Sequence, residues 1–282
     1  ELYHGPTLAF KDIALQFLGN TFDEFLEKKE KKLCIIGATS GDTGSAAIDA
    51  VKRNKFSSIF ILHPHRRVSD FQRRQMTTVK SKNVFNIAVK GTFDDCQNIV
   101  KKLFIDENLN SQLRLGSINS INWTRIMAQI SYYIFSYNKV KEEYKNKKVS
   151  FCVPTGNFGD AFAGYIAKEK FNVPINKIII ATNKNNILDR FFKTGIYKKE
   201  KVYQTMSPSM DIQIASNFER LLYDLYNQDG NIINDLMNDF SKNGIIKVNN
   251  KSFKKTKKIF LSFSINEKET MNSILHAYKK IK

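Results

Sequence analysis

A lysine at residue 11 and two glycine-bearing turns are the places in this sequence where residue types and spacing could do chemistry. Lys11 lies in PTLAFKDIALQFLG (6–19), whose apolar residues Leu8, Ile13, Ala14, Phe17 and Leu18 have helical spacing. With Phe10 and Ile13 beside it near a helix start, the amine could be partly desolvated. Desolvation disfavours the ammonium and lowers the pKa, which an imine-forming lysine needs. The chain has 36 lysines, and taken alone Lys11 reads better as one more solvated charge.

The two turns are ATSGDTGSAA (38–47) and PTGNFGDAFAGY (154–165), each following a short apolar run. A helix that starts just after such a turn presents free backbone N–H groups and the positive end of its dipole, which suits an anion. Neither is GxxxxGK[ST] or GxGxxG, so nucleotide binding of those kinds is not supported. Gly and Asp also serve turns and caps at strand-to-helix connections, so each turn singly is open to both readings.

Other reactive types are sparse. Cys34, Cys96 and Cys152 have no CxxC spacing, which suggests neither zinc nor disulfides. Cys34 and Cys152 fall in apolar runs and are expected to be buried. His63 and His65 lack ligand partners at useful spacing, so no metal is expected, and His4 reads as structural.

These residues must be held by secondary structure. LCIIGA (33–38), SSIFIL (57–62), VFNIAVK (84–90), VSFCV (149–153) and KIIIAT (177–182) read as buried strands. DTGSAAIDAVKR, FDDCQNIVKKLF, NWTRIMAQISYYIF and DAFAGYIAKEKF lie between them and read as helices. Alternation of this kind predicts an α/β protein with parallel sheets covered on both faces, and ligands then gather beyond the carboxyl ends of the strands. KVKEEYKNKK (139–148) reads as a surface connection between lobes, and KSFKKTKK (251–258) as a solvated face.

Composition narrows the class. The chain has 282 residues, 42% of them hydrophobic, enough for a sizeable core. No apolar run approaches the roughly 20 residues of a membrane span and no secretory signal opens it, so a cytoplasmic protein is expected, with no membrane partner. The net charge of +18 raises nucleic-acid binding, but the excess is lysine scattered along the chain, with no recognisable nucleic-acid module. No nucleic acid is expected.

Three stretches in order, HGPTLAFKD, ATSGDTGSAA and PTGNFGD, resemble the cofactor-binding segments of the threonine synthase family, fold type II enzymes that use pyridoxal phosphate (PLP). HPHRRVSDFQRRQMTT (63–78), GSINSINWTRIMAQISYY (116–133), ATNKNNILDRF (181–191) and SPSMDIQIASNFERLL (207–222) are similar to the same family. The likeness runs from Glu1 to about residue 228. It implies the tryptophan synthase β-like fold, two parallel-sheet α/β domains with the site between them. On that plan residues 32–134 form the smaller domain, and 1–31 with 135–282 the larger PLP-binding domain, incomplete at both ends.

The resemblance implies that Lys11 carries pyridoxal phosphate covalently, that Gly156, Asn157, Phe158, Gly159 and Asp160 cradle its phosphate, and that Asp42 stands beside the ring hydroxyl. Ser40, Gly41 and Thr43 would belong to the loop that holds the substrate carboxylate. The reaction implied is O-phospho-L-homoserine plus water giving L-threonine plus phosphate, or in a threonine synthase-like phospho-lyase, phosphate plus 2-oxobutyrate. Ser117, Asn119, Asn122 and Arg125 are candidates for the substrate phosphate, because a polar turn feeding a helix gathers side chains and N–H groups. Their alternative is that the two asparagines cap the helix and Arg125 is solvated.

No segment matches the family residue that faces the pyridine nitrogen. The first residue is Glu, and the final NEKETMNSILHAYKKIK reads as an amphipathic helix without a capping glycine. A piece of a longer enzyme is expected, of undetermined oligomeric state.

Overall fold

In a computed structural model, which describes residue 2 and residues 4–281, strand and helix alternate along two compact units, Glu1–Ala128 and Gln129–Lys282. The first unit begins with α1 (Lys11–Lys28), β1 (Leu33–Ala38), α2 (Asp42–Val51), β2 (Ser57–Pro64), α3 (Asp70–Thr77), β3 (Val84–Val89), α4 (Phe93–Ile105), α5 (Glu107–Leu113) and β4 (Leu115–Gly116). Its sheet is parallel throughout, in the order β3-β2-β1-β4.

Successive side chains on a strand point to opposite faces, and the core divides accordingly. Ile35, Ile59 and Ile61 pack with Leu15 and Leu18 of α1, Ala46, Ala47, Ile48 and Val51 of α2, and Met76 of α3. Ile36 and Leu62 point the other way, onto Cys96 and Val100 of α4. Burying each of the larger aliphatics is worth about 1.5–3 kcal/mol. Helices α1 and α2 approach so closely that a Cβ at Gly19 would lie 2.6 Å from the Ala50 carbonyl oxygen.

Helix α6 (Trp123–Glu143) contains the division between the units. The second unit continues with β5 (Phe151–Pro154), α7 (Gly159–Glu169), β6 (Ile178–Thr182), α8 (Ile187–Thr194), β7 (Ile196–Lys198), α9 (Phe218–Leu225), α10 (Gly230–Asn243), β8 (Ile245–Lys247), α11 (Asn250–Ile259), β9 (Phe260–Ser264) and α12 (Glu267–Ile281). Strands β5, β6 and β9 form a parallel sheet, and β7 pairs antiparallel with β8. The core is aromatic: Phe158 lies 5.8 Å from Phe192 and 5.9 Å from Phe260 between ring centroids, and Phe218 is stacked on Tyr197 at 4.1 Å. Among the described residues no helix is long and apolar enough to cross a membrane.

Some expectations shift. Helix α1 packs within the first unit, whereas residues 1–31 were expected with 135–282; Leu15 and Leu18 bury against the β1–β2 face, and the division falls at Ala128, not 134. Cys152 is exposed, not buried, because it lies on the open face of the β5-β6-β9 sheet, in register through Ile179 with the exposed Leu261. KVKEEYKNKK is partly helix, since α6 runs on to Glu143. The lysine-rich 251–258 run is a solvated face of α11, with Ser252, Thr256 and Ile259 turned inward.

Candidate active site

The stretch preceding Lys11 is folded back on the helix it opens. Asp12, 1% exposed, accepts from the Thr7 N–H at 2.9 Å and the Thr7 hydroxyl at 2.5 Å. Gln75 of α3 donates to the Thr7 carbonyl at 3.0 Å. A buried carboxylate that receives such donors ties the turn to the first turn of α1. Lys11 is thereby fixed at the head of α1, its side chain 13% exposed.

The Lys11 Nζ donates to Asp42 Oδ2 at 3.0 Å. Asp42 opens α2, and its other oxygen accepts from Gln72 Nε2 of α3. Gln72 in turn accepts from the Ser69 hydroxyl at 3.1 Å, within the Ser-x-x-Gln start of α3. Three elements thus converge on one carboxylate, and the first unit by itself brings Lys11 and Asp42 together.

The loop between β1 and α2 is clasped by Thr39. Its Oγ1 accepts from Gly41 N at 3.0 Å and Gly44 N at 2.8 Å. Gly41 has φ 145° and ψ −82°, a conformation open to glycine, and a Cβ there would fall 2.0 Å from Gln72 Oε1. Thr39 thus supplies the acceptor for one first-turn N–H of α2, while Gly41 at the N-cap position supplies none. Ser40 and Thr43, both partly exposed, flank an N-terminus disposed toward an anion.

In the second unit the turn after β5 is built the same way. Thr155 Oγ1 accepts from Phe158 N at 3.1 Å and donates to Asp160 Oδ1 at 2.5 Å, and Asp160 Oδ1 also accepts from Ala161 N at 2.8 Å. Phe158 holds φ 65°, strained for a side chain with a Cβ, and its ring is wholly buried among Phe192, Phe218 and Phe260. The aromatic core thus holds a left-handed residue at the N-cap of α7, which carries no side-chain cap. Asn157 is fixed by its carbonyl, which accepts from Asn217 N at 3.1 Å. Gly156 and Gly159 complete the turn.

In the 117–125 segment the capping expectation holds for Asn122 alone, and Arg125 departs from the solvated alternative. Asn122 does cap α6, its Oδ1 accepting from Thr124 N at 2.9 Å while its Nδ2 donates to the Ser117 carbonyl at 3.2 Å. Asn119 N donates to the Ser117 hydroxyl at 3.3 Å. Arg125 is not solvated: it is 2% exposed, with Nη1 donating to the Ile118 carbonyl at 3.1 Å. A guanidinium has the planar donor geometry that suits carboxylates and phosphates.

Sequence reading missed Gln72, Thr39 and Thr155, the side chains that hold these loops in shape. The Ser69–Gln72 spacing is legible as a capping signature, but the turn of Gln72 onto Asp42 is tertiary. It also missed the meeting of the 181–191 and 207–222 segments: Asp211 accepts from Asn183 Nδ2 at 2.8 Å and Asn185 Nδ2 at 3.0 Å.

An amine paired with a carboxylate, and a glycine turn opening a helix whose N-cap residue supplies no side-chain acceptor, are groups that suit pyridoxal phosphate: an amine for its aldehyde and backbone N–H groups for its phosphate.

The model of the family described as pyridoxal-phosphate dependent enzyme matches residues 1–235. The chain is 47% identical over 279 residues to a threonine synthase of Pseudomonas aeruginosa, covering 99% of this chain and 59% of that protein. It is 46% identical over 297 residues to a threonine synthase of Saccharomyces cerevisiae, covering 99% and 58%. The crystal structure of PLP-bound threonine synthase from Brucella melitensis matches with a TM-score of 0.89 at 46% identity, over 96% of this chain and 57% of that one. The chain therefore spans under two-thirds of the length of these relatives, and the likeness continues well past residue 228, where the motifs thin out.

Proposed function

Because the chain belongs to the pyridoxal-phosphate-dependent enzyme family, we propose that the protein is a threonine synthase, forming L-threonine and phosphate from O-phospho-L-homoserine and water. The observation that carries the reading is the Lys11–Asp42 pair at 3.0 Å, with Lys11 at the head of α1 and Asp42 at the head of α2. Its support is that the motif order and the matched length agree with threonine synthases over 99% of the chain.

Pyridoxal phosphate, when bound, supplies an electron sink that lets protons leave the carbon atoms of an amino-acid substrate. Lys11 would hold the cofactor through its amine, and as a free amine would take and return protons at the substrate Cα. Asp42 orients that amine and would hold the cofactor beside its ring hydroxyl. Gly156, Asn157, Phe158, Gly159 and Asp160 offer the turn and helix N-terminus that receive the cofactor phosphate. Ser40, Gly41 and Thr43 receive the substrate carboxylate through the start of α2, and Arg125, with Ser117, Asn119 and Asn122, receives the substrate phosphate.

The test is product analysis with the full-length protein, pyridoxal phosphate and O-phospho-L-homoserine. L-threonine and phosphate in equal amounts, lost in Lys11→Ala together with the visible absorption of the lysine-bound cofactor, are the expected outcome. Formation of 2-oxobutyrate in place of threonine overturns the synthase assignment. Absence of any cofactor absorption in the unsubstituted protein overturns the assignment of Lys11.

A further inference from the structure

The HPHRR motif plays no part in the reaction above, yet its first histidine is one of the more costly side chains in the first unit. His63 lies near the carboxyl end of β2, 4% exposed, and its Nδ1 has no hydrogen-bond partner. On the neighbouring strand Asn86 donates through Nδ2 to the Met76 carbonyl at 3.1 Å, which leaves Oδ1 buried and also without a partner. Ile61 pairs with Asn86 and His63 with Ala88 in the parallel register, so His63 and Asn86 share the sheet face on which α3 packs. A buried polar atom without a partner is destabilising, and here two of them face one place.

That place is a cavity of about 750 Å³, lined by His63, Asn86, His65, Arg66, Arg73 and Thr77 among others. The volume is in the range of small-molecule sites, and the ends of parallel strands are where such sites form. Its cations outnumber its carboxylates: Asp70 is the acidic residue of the lining, and it already accepts from Arg73 Nε at 3.2 Å. Arg66 holds φ 57°, a strained setting for arginine. Burial pushes the His63 imidazole down, reinforced by the charges of His65 and Arg73 and partly offset by the Pro64 carbonyl. A neutral ring gives or takes one hydrogen bond at each nitrogen. Asn86 Oδ1 is an acceptor only, so a group that satisfies it must bring a donor.

We propose that this cavity is a second binding site, for a small anion that carries its own N–H or O–H donor: the anionic group lies on Arg66 and Arg73, and the donor reaches Asn86 Oδ1 beside His63. Hydrogen phosphate and an α-amino acid share this chemistry, and sulfate and acetate lack the donor. The site is separate from the Lys11 pair, though one helix serves both. Gln72 of α3 binds Asp42, while Asp70, Arg73 and Thr77, three and four residues apart, line the cavity.

The test is titration of the full chain at neutral pH with phosphate against sulfate and glycine against acetate, read from the ring resonances of its four histidines, His63 being assigned by His63→Phe. A saturable His63 shift with phosphate or glycine, at least about tenfold tighter than with the donor-free partner, is expected; which of the two binds identifies the source of the ligand. Asn86→Leu should weaken phosphate or glycine about tenfold, to the level of sulfate or acetate, and Arg66→Gln on the exposed loop should weaken both members of each pair. The two substitutions are read separately, so loss of folding in one leaves the other decisive. Equal binding of phosphate and sulfate, or no saturable shift of His63 at about 10 mM of any of the four, overturns the proposal.

Discussion

The ammonium of Lys11 and the carboxylate of Asp42 meet at 3.0 Å, 31 residues apart in sequence, each at the first position of its helix. If Asp42 orients the amine that moves protons, Asp42→Ala should lower kcat by roughly 10²-fold or more, with a smaller change in KM. Asp42→Asn keeps a polar group beside the amine and should recover part of the loss. Steady-state kinetics of the three proteins checks this, and equal kcat in all of them would remove Asp42 from the site.

Gly41→Ala places a methyl group against Gln72 and forces a conformation that side chains rarely adopt. A cost of about 1–3 kcal/mol in unfolding free energy is expected, measured from the urea midpoint. Because Gln72 is displaced from Asp42, activity should fall in addition, and Gln72→Ala should reproduce that second effect without the loss of stability.

Thr39→Val preserves shape and deletes the acceptor for two loop N–H groups. With Thr39 2% exposed, the stranded donors should cost about 1–3 kcal/mol. Hydrogen exchange at Gly41 and Gly44 should quicken relative to the strands of the same sheet.

Phe158→Ala should destabilise by about 3–5 kcal/mol through the cavity it leaves in the aromatic core. Phe158→Gly leaves a similar cavity but relieves the left-handed backbone, recovering about 1–2 kcal/mol relative to the alanine variant. If glycine proves no better than alanine, the backbone at α7 has relaxed on loss of the ring.

Asp224 sets a pH dependence in the second unit. Burial by itself would raise its pKa, but hydrogen bonds from Lys170 at 2.8 Å and from the Tyr165 hydroxyl outweigh it and hold the carboxyl below the ordinary value of 3.8. A depressed carboxyl contributes stability that is full above the unfolded value and lost as pH falls below it. Thermal midpoints should therefore drop below about pH 4 more steeply in the native protein than in Asp224→Asn. Parallel curves would show that the Lys170–Asp224 pair, half-exposed at the lysine, is screened by solvent.

Much of the frame was legible. The runs around 33–38, 57–62 and 177–182 are short, apolar and β-branched, and burial in a parallel sheet leaves that mark in composition; 84–90 is a strand as well, but not the buried one expected, since Phe85 and Ile87 are exposed. Strand β9 was not read from its sequence: FLSFS follows a lysine-rich helix, and only its pairing with β6 makes it a strand. The exposure of Cys152 is not legible locally, because an apolar run does not say which face of its sheet will be covered.

By itself the sequence determined the alternation of elements, the positions of the two glycine turns and the family they belong to, because turn chemistry and hydrophobic period are local and written residue by residue. What tertiary structure decided is which side chains meet. That Lys11 finds Asp42, that Gln72 holds the other carboxylate oxygen and that Arg125 is buried depend on how the helices pack, and that His63 and Asn86 leave two unsatisfied atoms on one cavity follows from the β2–β3 register. Hydrogen bonds and ion pairs act over about 3 Å, and no spacing along the chain specifies distances of that size between residues that parallel crossovers bring together.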